Sequence, residues 1–240
     1  MVTEAITVVL QSFRRVDVPP WLTRCLASVE RWADERGYAY RFLDDAIFDL
    51  LPEGYRLRAG HDLQLLADLA RLVAAQRLLD EGADRVAWLD ADVYVFGPLA
   101  LPEGRDFYLC RELWDRELRV NNCVCVFSRG SAFLPFYIDA CQQLMRGAAG
   151  KLDSLMVGTR FLTQLDRAVP LPQITSVALF SPPALVDVAA GGGPHLDAYR
   201  GRFGGPVHAA NLCLSFRGTL GDAVYERAVD ALAAGLYSRP

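Results

Sequence analysis

Val86-Ala87-Trp88-Leu89-Asp90-Ala91-Asp92-Val93-Tyr94-Val95 is an apolar run broken at its centre by two carboxylates one residue apart. The residues before Asp90 read as a core strand, and those after Asp92 resume it. Ionised carboxylates are costly in a low-dielectric setting unless a cation or dense hydrogen bonding compensates them, so two of them at a strand end mark a site. Hard oxygen ligands suit Mg²⁺ or Mn²⁺, which bind through one or two carboxylates and complete their shell with water and substrate phosphates. The plainer alternative is a turn in which Asp90 or Asp92 hydrogen-bonds nearby amides. An isolated Asp-x-Asp arises often by chance, but a solvated turn has no need to lie between core strands.

Working outward, the pattern from Asp62 to Glu81 predicts a long helix ended by Gly82 and feeding the strand Arg85 to Leu89. Upstream, residues 5 to 13 read as a first strand, followed by Pro19-Pro20, a helix from Trp21 to about Arg36 and a second strand from Tyr38 to Leu43. Downstream, strands are expected at Asp106 to Cys110 and Cys123 to Ser128, and helices at Ser131 to Arg146, Asp153 to Asp166 and Gly221 to Leu236. Between Pro170 and Pro206, prolines and glycines read as breaks that leave short pieces. Strands alternating with helices imply an α/β fold with a mixed, mostly parallel sheet flanked by helices. At 240 residues the chain reads as a single domain, residues 1 to 240.

With 52% hydrophobic and 22% charged residues, the composition is that of a globular protein. A net charge of -4 gives no basic field for a phosphodiester backbone, so no nucleic-acid partner is expected. Met1 to Ala5 place an acid where a signal peptide wants a base, and no apolar stretch has the length of a transmembrane segment. A cytoplasmic location follows as the expectation, with any membrane contact peripheral. Six cysteines (Cys25, Cys110, Cys123, Cys125, Cys141 and Cys213) match no zinc or secreted-scaffold spacing and read as buried free thiols.

The carboxylate strand resembles the DXD strand of GT-A glycosyltransferases, especially retaining families 8, 32 and 34. In the helix ahead of it, Ala67-Asp68-Leu69-Ala70-Arg71 is similar to the Asp-x-x-Arg signature of family 32 and the clostridial glucosylating toxins. Asp68 and Arg71, three apart, share a helical face, and the spacing alone also suits a surface ion pair. Val120-Asn121-Asn122-Cys123-Val124 resembles the Asn-x-Gly-Val strand of these enzymes, with Cys123 where glycine is usual. Val157 to Thr163 resembles a Gly-Pro-x-x-Leu-Thr element, with Thr159 replacing proline.

The resemblance implies a GT-A-like, Rossmann-type fold and metal-dependent transfer of a hexose from a UDP- or GDP-sugar to a glycan or small-molecule acceptor, with polysaccharide assembly as the setting. It implies Mn²⁺ or Mg²⁺ held by Asp90, Asp92 and His208, the last because GT-A enzymes commonly supply a histidine near their C-terminus. Asp68, Arg71 and Asn121 are the implied catalytic residues. Asp68 would bond donor-sugar hydroxyls, Arg71 would steady the sugar or diphosphate, and Ala91 would line the nucleotide-sugar site beside them. At the end of the first strand, where doubly wound sheets receive nucleotides, Ser12 and Arg14 complete the donor site.

Retention of configuration is the expectation, with Asp153 and Asp166 open as alternative catalytic acids. Two other functions stay open on the sequence. A sugar-nucleotide pyrophosphorylase shares the sheet and the metal chemistry, but the loop Gln11 to Asp17 lacks the glycines such enzymes carry. A non-catalytic binding or assembly protein on the same fold is the third.

Overall fold

The computed structural model describes residues 5–114 and 117–237; the reading of Met1 to Glu4 lies outside the described residues. Strands β1 (Thr7–Ser12), β2 (Ala39–Leu43), β3 (Arg85–Leu89), β4 (Val93–Val95), β5 (Phe107–Trp114), β6 (Glu117–Ser128), β7 (Gln173–Ile174), β8 (Val177–Leu179) and β9 (Ala209–Asn211) form two sheets. The larger has the order β2-β1-β3-β6-β5-β7, and the smaller β4-β9-β8. Pairing in the larger sheet is parallel for β2-β1, β1-β3 and β5-β7 and antiparallel around β6, so the sheet is mixed and mostly parallel.

Helix α1 (Pro20–Glu35) starts with Pro20 in its first turn, where a missing N–H costs nothing. It buries Trp21, Leu22, Cys25, Val29 and Trp32 at helical spacing, and the Trp21 ring stacks on Tyr225 at 4.3 Å. After α2 (Glu53–Ala59), α3 (Leu63–Asp80) begins at Asp62, whose Oδ1 accepts from the Gln64 and Leu65 amides at 3.1 Å. Gly82, with φ 116°, lets the chain turn from α3 into β3. Leu65, Leu66, Leu69, Ala70, Leu72, Ala74, Ala75 and Leu79 are all buried, so α3 is enclosed on most sides rather than along one stripe. This is why the charged pair Asp68 and Arg71 is internal.

Helices α4 (Phe133–Gly147) and α5 (Thr159–Ala168) follow the β5–β6 hairpin. The expected helix from Asp153 begins six residues late: Asp153 instead accepts from the Leu155 amide in a turn. The hairpin strands are longer than the sequence pattern indicates, because charged residues on their outer halves mask the apolar signal. The stretch read as short pieces holds α6 (Pro182–Ala190) and α7 (Pro194–Phe203), each with proline in its first turn. Proline there starts helices instead of breaking them. Helices α8 (Arg217–Leu220) and α9 (Asp222–Ala233) close the described chain, and α9 packs on α1 and α6. All six cysteines are free, and all but the partly exposed Cys213 are buried. Among the described residues no helix is long and apolar enough to cross a membrane.

Candidate active site at the end of the third strand

Strand β3 runs between β1 and β6 and delivers Asp90 at its carboxyl end. The chain turns there: the Asp90 amide donates to the Cys123 carbonyl at 2.8 Å, and the Val93 amide to the Asp90 carbonyl at 3.0 Å. Gln11, fully buried at the end of β1, donates from Nε2 to the same carbonyl at 3.1 Å and accepts from the Tyr40 hydroxyl. Leu10 pairs with Trp88, so Ser12 and Asp90 stand level at the same sheet edge.

The Asp90 carboxylate is bound through one oxygen. Its Oδ1 accepts from Arg71 Nη1 at 2.8 Å and from Trp88 Nε1 at 2.6 Å. Its side chain is 26% exposed, while Oδ2 makes no hydrogen bond among the described residues. Arg71 is 7% exposed and engaged at each of its three nitrogens: Nη1 also donates to the Asn122 carbonyl at 2.7 Å, Nε to the Ala67 carbonyl, and Nη2 lies 3.2 Å from Asp68 Oδ1. The guanidinium lies over the Trp88 ring at 5.2 Å. Asp68, 2% exposed, accepts through the same Oδ1 from Asn122 Nδ2 at 2.9 Å. Its Oδ2 is buried without a hydrogen-bond partner and rests against Gly158, where any Cβ would overlap it. Asp68 and Arg71 are therefore an internal pair rather than the exposed pair their spacing also allowed.

Asp92 is held from the other side. Its Oδ1 accepts from Nδ2 of Asn211, the last residue of β9, at 2.8 Å and its Oδ2 from the Leu214 amide in the segment that follows at 2.6 Å. That segment is shaped by Cys213 in the left-handed region, φ 57°, with its carbonyl taken by the Tyr225 hydroxyl and its amide bonded to Asn211 Oδ1.

Two buried carboxylates, Asp68 and Asp92, and the partly exposed Asp90 thus share the neighbourhood of one guanidinium, and the electrostatics record the imbalance. Burial pushes Asp68 up to about 6 against the pull of Arg71 and Asn122. Burial and the neighbouring Asp90 push Asp92 up to about 7, and burial raises Asp90 despite Arg71 and Trp88. For Arg71, burial works to lower the pKa, but Asp90 and Asp68 more than offset it and keep the guanidinium charged. Net negative charge, a free and exposed Asp90 oxygen and hard oxygen donors together fit a divalent cation of the Mg²⁺ or Mn²⁺ kind.

His208 is not part of this arrangement. β9 runs antiparallel to β4 with Val95 opposite Ala209 and Val93 opposite Asn211, so His208 stands at the far end of β4 from Asp92. Its Nδ1 lies 2.7 Å from where a Cβ on Gly97 would be, and its carbonyl accepts from the Phe96 and Gly97 amides. Among the described residues no three His, Cys, Asp or Glu side chains gather as a metal cluster. Ala91, 6% exposed, belongs to the apolar cluster that holds Trp21 and Cys25.

Asn121 is beside the site with its amide committed: Oδ1 accepts from the Cys123 amide at 2.7 Å, and Nδ2 donates to Thr159 Oγ at 2.9 Å and Glu112 Oε2 at 3.3 Å. Its neighbour Asn122 makes the direct contacts to Asp68 and Arg71, a role adjacent to the expected one that no residue pattern distinguishes. Around these asparagines the β5–β6 register shifts between Leu109 and Cys110, a bulge that frees residues of β6 to meet α3 and Asp90. Ser12 Oγ is 3.4 Å from the Asp44 carbonyl, and Arg14 is exposed, its guanidinium 5.5 Å from the Phe13 ring centre. Asp153 is paired with Arg160, and Asp166 accepts from the Leu171 amide, so both serve local turns.

No family model and no curated protein matches the chain. Among solved structures, it is similar to a glycosyltransferase involved in the glycosylation of the major capsid of PBCV-1, with a TM-score of 0.50 at 12% identity, over 94% of this chain and 98% of that one. It also matches the glycosyltransferase GlyE of Streptococcus pneumoniae TIGR4 (TM-score 0.46, 12% identity, 98% of this chain and 63% of that one) and the PaToxG glycosyltransferase (TM-score 0.41, 13% identity, 96% and 87%). The likeness to the first of these is one of fold and runs almost end to end in both chains: this protein has the fold of a glycosyltransferase.

Proposed function

We propose that the protein is a glycosyltransferase that takes a nucleotide-diphosphate sugar at the edge formed by β1 and β3 and transfers its sugar to a hydroxyl-bearing acceptor. The observation that carries this reading is the excess of buried and partly buried carboxylate over guanidinium at Asp68, Asp92 and Asp90, placed at a strand end of a glycosyltransferase fold. Such an excess costs stability in the free protein and is offset when a cation binds, which is the economy of a ligand site rather than of a structural ion pair.

Asp90 and Asp92 would hold the divalent cation, which when bound supplies Lewis-acid stabilisation of the departing diphosphate. Arg71 orients Asp90 by holding Oδ1, so that Oδ2 is presented outward; buried and with all three nitrogens in contact with protein oxygens, it acts through Asp90 rather than on the sugar. Asp68 and Asn122 fix Arg71 in turn. The exposed Arg14 is the mobile-length cation available to the diphosphate, and Ser12 the hydroxyl nearest the Asp90 edge. UDP- and GDP-sugars are the donors proposed and retention the stereochemical course, both following the family resemblance.

A panel of UDP- and GDP-sugars incubated with Mn²⁺ tests the reading. Metal-dependent cleavage or transfer of one donor by the wild type, lost on the order of 100-fold or more in Asp92→Asn, is the expected result. No response to any donor, with the variant indistinguishable from wild type, would make the carboxylates structural.

A further inference from the structure

Glu112 is a buried acid that the donor site does not use. It lies in β5, 4% exposed, directly opposite Arg119 of β6. That arginine passes it over: Arg119 binds Glu117 through Nε and Nη2, both at 2.9 Å. Glu112 is left with one long bond, from Asn121 Nδ2 to Oε2 at 3.3 Å, and Oε1 makes none among the described residues. A carboxylate buried so deeply with so little compensation is costly, and a purely structural strand position would be filled as well by a neutral side chain.

Its surroundings say what it faces. Asn121 joins Glu112 to Thr159 at the start of α5. Just beyond, Trp114 lies 5.5 Å from Phe216, so the hairpin touches the segment that follows the Asp92-binding loop. The residue after Asn121, Asn122, gives its carbonyl to Arg71, which in turn holds Asp90. In the sheet, β6 and β5 follow β3 on the side away from β1, so Glu112 lies on the side of Asp90 opposite the proposed nucleotide edge.

We infer that Glu112 forms the acceptor subsite, with Oε1, which no described residue engages, accepting a hydrogen bond from the acceptor hydroxyl. This deepens the proposed transferase reading and rests on it. The acceptor class is a carbohydrate hydroxyl, and in its absence water occupies the same place. Orientation of that oxygen toward the sugar carbon is the contribution of Glu112, and loss of such positioning typically costs on the order of 100-fold in rate.

The test is Glu112→Gln, which keeps the shape and the Asn121 neighbourhood but exchanges the acceptor oxygen pair for an amide. UDP- and GDP-sugar binding with Mn²⁺ is measured by calorimetry, thermal melting is recorded, and nucleotide release is followed with water alone and with a mixture of methyl hexosides. The expected result is donor affinity within about threefold of wild type, melting unchanged, and nucleotide release down by about 100-fold. Release within twofold of wild type overturns the inference, as does loss of donor affinity or melting temperature in parallel with release, since Glu112 is then structural. A wild type that binds no donor, or binds without turnover, instead overturns the transferase reading itself.

Discussion

Asp90 and Asp92 are two residues apart, yet opposite halves of the chain hold them. Asp90 is tied to the first half, through a guanidinium on α3 and an indole on β3. Asp92 is tied to the last third, through a side-chain amide at the end of β9 and a backbone amide just after it. One is balanced by charge and leaves an oxygen outward; the other is bonded at both oxygens but by neutral donors only. The difference shows why one motif suffices to join two sheets and a site: the charged anchor fixes geometry, while the neutral anchor leaves negative charge uncompensated.

Removing the charged anchor should have the largest effect. Arg71→Met leaves the buried Asp68 without its cation beside the partly exposed Asp90, and breaking a buried pair by deleting one partner costs about 3–5 kcal/mol. Denaturant unfolding should show that loss, with nucleotide-sugar turnover abolished; a loss below about 1 kcal/mol would place the pair at a solvated surface.

The pH dependence of the metal-free protein sharpens the comparison at the neutral anchor. Asp68 and Asp92 are raised in the folded state, to about 6 and about 7, above an unfolded value near 4. Between those limits the folded state binds more protons, so stability falls as pH rises from about 4 to about 7 and levels off above it. Thermal melting across that range should follow this slope without metal and lose it with saturating Mn²⁺ and UDP. The smallest effect belongs to His208→Ala: Mn²⁺-dependent donor binding should stay within about twofold of wild type, because the ring is at the wrong end of β4.

The residues legible in the sequence are those whose chemistry conflicts with their surroundings. Two acids inside an apolar strand declare themselves, and the helix ahead of them shows its length through Asp62 and Gly82. The i, i+3 spacing of Asp68 and Arg71 indicates a shared face, but whether that face is inside depends on α4 and β6, which pack on α3 from far along the chain. His208 illustrates the opposite case. Its distance from Asp92 depends on the β4–β9 register, and a shift of three residues along an antiparallel pair carries a side chain to the other end of a short strand. Glu112 gives no signal, since an acid among Arg111, Leu113 and Trp114 reads as an ordinary solvated strand end. The prolines of α6 and α7 mislead because the same residue begins helices and interrupts them, and the neighbouring pattern is too short to decide.

The central claim is that Asp90 and Asp92 bind a divalent cation together with a nucleotide diphosphate. Calorimetric titration of Mn²⁺ into the protein, with and without UDP or GDP, tests it most directly. The account predicts weak binding of Mn²⁺ alone, at least tenfold tighter binding with one nucleotide, and loss of that coupling in Asp92→Asn. Equal affinities with and without either nucleotide, unchanged by the substitution, would contradict it.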